Sequence, residues 1–135
     1  MKYKMFFTTM TVLFFSVSAL ATPFTSPKKP SAKLVMNKPQ VTKQLFTMSL
    51  TQVDGNNVQN RGGVVWLKPG QYDLSFNAMV NQNFTKGQLS RAETRSKDFN
   101  NDMNITLEAG KTYYLAFDAK DSDADNWKPV VYKTE

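Results

Sequence analysis

The chain has no cysteine and no histidine. Without cysteine there is no disulfide, no thiol nucleophile and no lipid-attachment residue behind a leader. Without histidine the commonest general base, the Ser-His-Asp arrangement and nearly every zinc site are excluded. No serine stands in a Gly-x-Ser-x-Gly elbow, and no glycine-rich loop is built to cradle phosphate. What survives is catalysis by paired carboxylates, as in glycoside hydrolysis. Asp54, Asp73, Glu93, Glu108 and Asp118 are available for it, but spacing sets no pair of them apart. The chain is therefore read as a non-enzyme.

Long hydrophobic runs are also missing. The most apolar stretch, residues 6–17, is interrupted by Thr and Ser and falls short of the ~18 residues of a membrane-spanning helix. Lys2 and Lys4 precede it, and Ala19 and Ala21 put small residues at the −3 and −1 positions of a cleavage site. That pattern predicts a secretory signal peptide over residues 1–21, cut after Ala21, with a retained anchor as the competing reading. Cleavage removes two lysines and no acid, so the net charge falls from +6 to +4. An exported chain without cysteine suits a bacterial periplasm or the cell exterior.

Residues 22–43 contain four prolines and five lysines, and no acid occurs between Thr22 and Val53. The segment reads as an extended tether. Leu34, Val35 and Met36 form a short edge strand within it, ended by Pro39. Its lysines offer electrostatic contact with an anionic membrane surface, or simply keep a linker soluble.

Residues 44–135 are read as the folded domain, because period-two alternation recurs throughout. Phe46, Met48 and Leu50 share one face of a strand. Asp54, Gly55, Asn56 and Asn57 follow as a turn, since Gly and Asn both tolerate positive φ. The run 64–67, the reversal at Pro69 and Gly70, and the alternating Tyr72, Leu74, Phe76 and Ala78 predict a central β-hairpin. Ile105 and Leu107, a turn at Gly110, then Tyr113, Leu115 and Phe117 predict a second. The two share the spacing Leu-x-x-Gly followed by Tyr-x-Leu-x-Phe, a weak repeat that buried hairpins produce by convergence. The final run, with Val131 in the core, contains Pro129 and reads as an edge strand.

Three features are candidate sites. Asp121, Asp123 and Asp125 stand at i, i+2 and i+4, a spacing that lets carboxylates converge on Ca²⁺. Asn126 replaces the glycine at position six and Tyr132 the glutamate at position twelve of an EF-hand loop, so a solvated acidic turn is the competing reading. Trp66 and Tyr114 lie opposite the apolar face of their strands, as a stacking platform or as residues under cover. Arg91, Arg95 and Lys97 make the polar stretch 81–102 locally basic, as a phosphate or glycan patch or as a solvated loop.

Over residues 50–132 several motifs combine: Val53, Asp54, Gly55; then Leu67, Pro69, Gly70, Tyr72, Leu74; then Ala109, Gly110, Lys111, Tyr113, Leu115; then Trp127, Lys128, Pro129. This pattern resembles PEGA-type β-sandwich domains of small bacterial envelope proteins, and its first half is similar to the curli-modulating periplasmic proteins. The insert at 81–102 and the missing lipid-attachment cysteine depart from many members. The resemblance implies an all-β, two-layer antiparallel sandwich of six to seven strands (Ig/PEGA-like), a cell-envelope location and no catalytic residues.

The expectation is therefore a non-enzymatic, periplasmic or secreted interaction module. It would have an envelope protein or a glycan as partner, no nucleic acid and no cofactor. A carbohydrate- or calcium-dependent ligand-binding protein is the alternative.

Overall fold

The computed structural model describes residues 22–87 and 101–135. Among them the chain is all-β, in two sheets. The strands are β1 (Ala32–Val35), β2 (Leu45–Phe46), β3 (Met48–Val53), β4 (Asn56–Asn57), β5 (Val64–Leu67), β6 (Gly70–Ala78), β7 (Asp102–Leu107), β8 (Thr112–Asp118) and β9 (Lys128–Thr134). That makes nine strands against the six to seven expected, because the segment 44–53 is divided into β2 and β3, and Asn56 and Asn57, expected in a turn, form β4. The predicted signal peptide and Arg91, Arg95 and Lys97 lie outside the described residues.

One sheet runs β4-β3-β6-β7 and is antiparallel throughout. The other is organised around β8. Its one edge carries β9 along Tyr113 to Asp118. The other edge is shared end to end by β1, beside Thr112 to Tyr114, and β2, beside Phe117 and Asp118. β5 then pairs with β1. The β1/β8 pair is parallel, an exception to the antiparallel arrangement expected.

The predicted hairpins are corrected. β5 belongs to the β8 sheet and β6 to the β3 sheet, so Lys68 and Pro69 form a crossover between sheets. β7 and β8 are divided the same way. Alternation and a Pro-Gly or Ala-Gly reversal serve a sheet-to-sheet arch as well as a hairpin, since both need two strands with one apolar face each. Leu67, Tyr72, Leu74, Leu107 and Leu115 enter a single hydrophobic cluster from the two sheets. The segment 44–53 likewise divides at Thr47, with Phe46 in one sheet and Met48 in the other, both buried. Asp54 and Gly55 do close a true hairpin: β3 and β4 pair across them, with φ of 50° and 81°, the positive pair that a two-residue reversal requires.

The repeat now has a physical content. In the first arch Tyr72 Oη donates to the Lys68 carbonyl at 2.8 Å. In the second, the Glu108 N–H donates to Tyr113 Oη at 2.9 Å. Each tyrosine reaches back to the residue after the arch leucine and pins the crossover, as tyrosine corners do. The arch glycines, Gly70 and Gly110, sit at positive φ. Tyr72→Phe leaves the Lys68 carbonyl without its donor and should cost about 1 kcal/mol in a denaturant melt. Burial first, then the Asp54 charge, raise the Tyr72 pKa above its ordinary value of 10.0. The folded state thus favours the neutral phenol. This contribution is fully present below about pH 10 and is lost as pH rises through the raised pKa. Wild type should therefore lose stability above about pH 10 more steeply than Tyr72→Phe, and parallel curves would remove Tyr72 as the cause.

The N-terminal segment belongs to the fold. β1 lies between β5 and β8, with Ala32, Leu34 and Met36 fully buried, and so is an interior strand, not the edge strand expected. Phe24 bridges to Leu67, Thr25 N–H donates to the Trp66 carbonyl (3.1 Å) and Lys68 N–H to the Pro23 carbonyl (2.9 Å). Residues 22–25 therefore strap the outer edge of β5, where a free tether was expected. β9 lies at an edge, as Pro129 requires. Val131 is 37% exposed, not core: the register shifts opposite Tyr114 and Leu115, and among the described residues no further strand pairs with that edge. Ile105 is only partly buried.

Candidate functional site

Strand parity and register place Trp66 and Tyr114 on one face. Val65, Leu67, Tyr113 and Leu115 point into the cluster, so Trp66 and Tyr114 point away from it. Lys33 of β1 is the cross-strand partner of both Trp66 and Thr112, and Val35 is the partner of Val64 and Tyr114. Trp66 and Tyr114 are thus two strands apart and one step along, roughly 12 Å between backbones. Both are half-buried. They are neither a bare platform nor fully covered.

Each aromatic has a cation. Lys33 Nζ stands 5.7 Å from the Trp66 ring centre and Lys133 Nζ 5.2 Å from that of Tyr114. The register shift in β9 brings Tyr132 to the same neighbourhood, 6.1 Å from Tyr114, and its hydroxyl donates to the Lys38 carbonyl at 3.0 Å. Tyr114 Oη donates to Glu135 Oε1 at 3.0 Å, and Lys133 Nζ lies 2.9 Å from Glu135 Oε2. The two hydrogen bonds, from Lys133 and then from Tyr114, hold the Glu135 carboxyl below its ordinary pKa. The bond to Glu135 raises Tyr114 and Lys133 in turn. Glu135 pairs directly with Lys133 and is also lowered by the charge of Lys33, which joins no direct ion pair among the described residues. Beneath lies a second small apolar patch of Val35, Leu45 and Ala116, buried yet outside the main cluster.

Sequence parity identifies Trp66 and Tyr114 but misses Lys33, Lys133, Tyr132 and Glu135. Their membership depends on which strands pair and where the register slips. The basic residues of 22–43 are dispersed as well: Lys28 and Lys29 fall in a turn, Lys33 in β1, Lys38 in the following loop and Lys43 in a 3-10 turn.

The acidic loop is shaped by hydrogen bonds from its own backbone. Asp123 N–H donates to Asp121 Oδ1 (2.7 Å) and Asp125 N–H to Asp123 Oδ1 (3.0 Å), following Lys120 N–H to Asp118 Oδ1 (2.9 Å). The i, i+2 spacing is that of successive Asx turns, each carboxylate taking a backbone donor two residues on. The last of them caps the 3-10 turn Ala124–Asn126. Among the described residues no group of three acidic, Cys or His side chains is disposed to hold a metal ion. Adding calcium should leave the melting temperature unchanged; a calcium-dependent rise would mean that the loop rearranges around the ion.

The chain matches no protein-family model, no curated protein and no solved structure. Among the described residues no helix is long and apolar enough to cross a membrane.

Proposed function

We propose that this chain is an exported, non-enzymatic interaction module of the bacterial cell envelope, cut after Ala21 and released to the periplasm or exterior. Its two sheets pack as an Ig/PEGA-like sandwich, a proposal supported by the single cluster to which both contribute. The absence of histidine and cysteine and the lack of a distinguished carboxylate pair support a non-enzyme. The observation that favours a binding role is the alternation of aromatic and cationic side chains on one sheet face: Trp66 with Lys33, and Tyr114 with Lys133. Aromatic rings bury area at low entropic cost, and the cations select partners of negative charge. The partner is an envelope protein or a glycan. Nucleic acid is not expected in that compartment. Contact with an anionic membrane surface through the dispersed lysines is an accessory interaction, weakened by salt.

Immobilised protein should retain one envelope component at both low and high salt, and Trp66→Ala with Tyr114→Ala should release it. Retention by the double variant would move the working surface elsewhere. Capture of lipid at low salt alone would reduce the role to electrostatic adhesion.

A further inference from the structure

A separate cleft of about 590 Å³ lies between the 22–25 strap and the β3–β4 hairpin, within the ~300–1,000 Å³ of small-molecule sites. Phe24 and Val58 supply its apolar wall and Arg61, Lys68 and Asp54 its charges. The Arg61 guanidinium lies 3.9 Å over the Phe24 ring centre. The ring face attracts the cation there, and a guanidinium carries the N–H fork that matches a planar, bidentate acceptor. Among the described residues neither Arg61 nor Lys68 joins an ion pair. Asp54 is the one carboxylate in the wall, and its Oδ1 already accepts the Asp73 N–H at 2.8 Å. Two cations against one acid favour an anionic ligand.

The backbone narrows the class further. The outer edge of β5 is taken by the strap, and β4 is two residues long, so an extended peptide finds almost no ladder to join. The rim instead presents the side-chain amides of Asn56, Asn57 and Gln59. Each amide offers a donor and an acceptor to neighbouring hydroxyls, and Asn57 keeps its NH₂ outside the bond it accepts from Gln52 (2.9 Å). A planar cationic fork, a second cation and a rim of amides together suit a polyol bearing a carboxylate. We propose that this cleft binds a carboxylated sugar, the uronic acid unit of an acidic glycan. Arg61 clamps the carboxylate, Lys68 supplies the second charge and the amides take the hydroxyls. Neither Trp66 nor Tyr114 lines this cleft, but Trp66 shares a neighbouring cavity with Phe24 and Arg61, so Tyr114 is the residue that tells the two sites apart.

The test is a calorimetric titration of the protein with trigalacturonate, its methyl ester and inorganic polyphosphate. The acid trimer should bind, and the ester about tenfold or more weaker. Arg61→Gln and Lys68→Gln should each cost about tenfold for the acid trimer, while Tyr114→Ala leaves it unchanged. Both substituted residues are exposed, and unchanged melting curves would confirm that the variants fold. No binding of the acid trimer, equal binding of its ester, or full retention by both Gln variants would overturn the proposal. Polyphosphate bound as tightly as the trimer would replace carboxylate recognition by simple charge.

Discussion

Phe76→Asp should leave a chain that does not fold. Phe76 is 3% exposed in the middle of β6, between β3 and β7, and stands opposite the buried Leu50. Its N–H is committed to the Asn101 carbonyl at 2.9 Å, so the backbone cannot turn the side chain outward without breaking that bond. A carboxylate there has no cation among the cluster residues. Burying it unpaired costs several kcal/mol, or forces it to take up a proton, and the ring's own burial is lost as well. Against a total stability of about 5–15 kcal/mol, the sum is enough to unfold a domain of this size. Asn77→Asp is the control: one residue on, exposed, with the opposite parity. Circular dichroism should show a cooperative melt for Asn77→Asp and none for Phe76→Asp. A soluble Phe76→Asp protein with a sharp transition would overturn the strand parity and the core built on it.

The contrast between those neighbours marks what the sequence can say. Parity is local, so the inward faces of Tyr72, Leu74 and Phe76, or of Tyr113, Leu115 and Phe117, are legible without any knowledge of pairing. Pairing is not local. Leu67 to Tyr72 has the same pattern whether the chain returns within one sheet or crosses to another, and only the partners of β5 and β6 decide. Phe46 and Met48 read as one strand because a chain that bends between sheets keeps its parity. β1 reads as an edge for lack of length, yet three buried residues put it inside. Val131 fails for the converse reason: its parity is sound, but among the described residues no strand pairs with the far side of β9.

The candidate sites divide along the same line. Trp66 and Tyr114 are legible as outward-facing aromatics, whereas Lys33, Lys133 and Glu135 join them only through register. Asp121, Asp123 and Asp125 have a spacing shared by two structures, a converging cation loop and a staircase of Asx turns. In the structure Asp121 and Asp123 each accept the backbone N–H two residues on, which engages one oxygen of each carboxylate. Arg61 gives no sequence signal at all. Its place beside Phe24 depends on the strap lying along β5, and proline-rich composition suggests a loose tether there.

Trp127→Ala should be the most damaging truncation. Trp127 is 1% exposed and is the largest fully buried side chain among the described residues. Its Nε1–H donates to the Asp121 carbonyl at 2.8 Å, across the loop that the three aspartates shape. Near the same edge of the indole, a methyl group added at Gly87 would stand 3.2 Å from the Trp127 ring and 2.6 Å from the Ser122 carbonyl oxygen. The ring therefore holds the acidic loop and the end of the 82–87 segment against the core together. Removing it costs about 3–5 kcal/mol for the lost ring and the cavity left behind, a fall on the order of 15–20 °C in melting temperature. Trp127→Phe separates the two roles. It keeps most of the buried ring and loses the indole donor, and the exposed position of Asp121 lets water replace that bond. Its cost should then be about 1–2 kcal/mol. If Trp127→Ala instead melts within a few degrees of wild type, the Asx turns hold the loop by themselves and the indole is a lodger in the core. If Trp127→Phe is as damaging as Trp127→Ala, the bond to Asp121 is the anchor, and the shape of the acidic loop depends on the core beneath it.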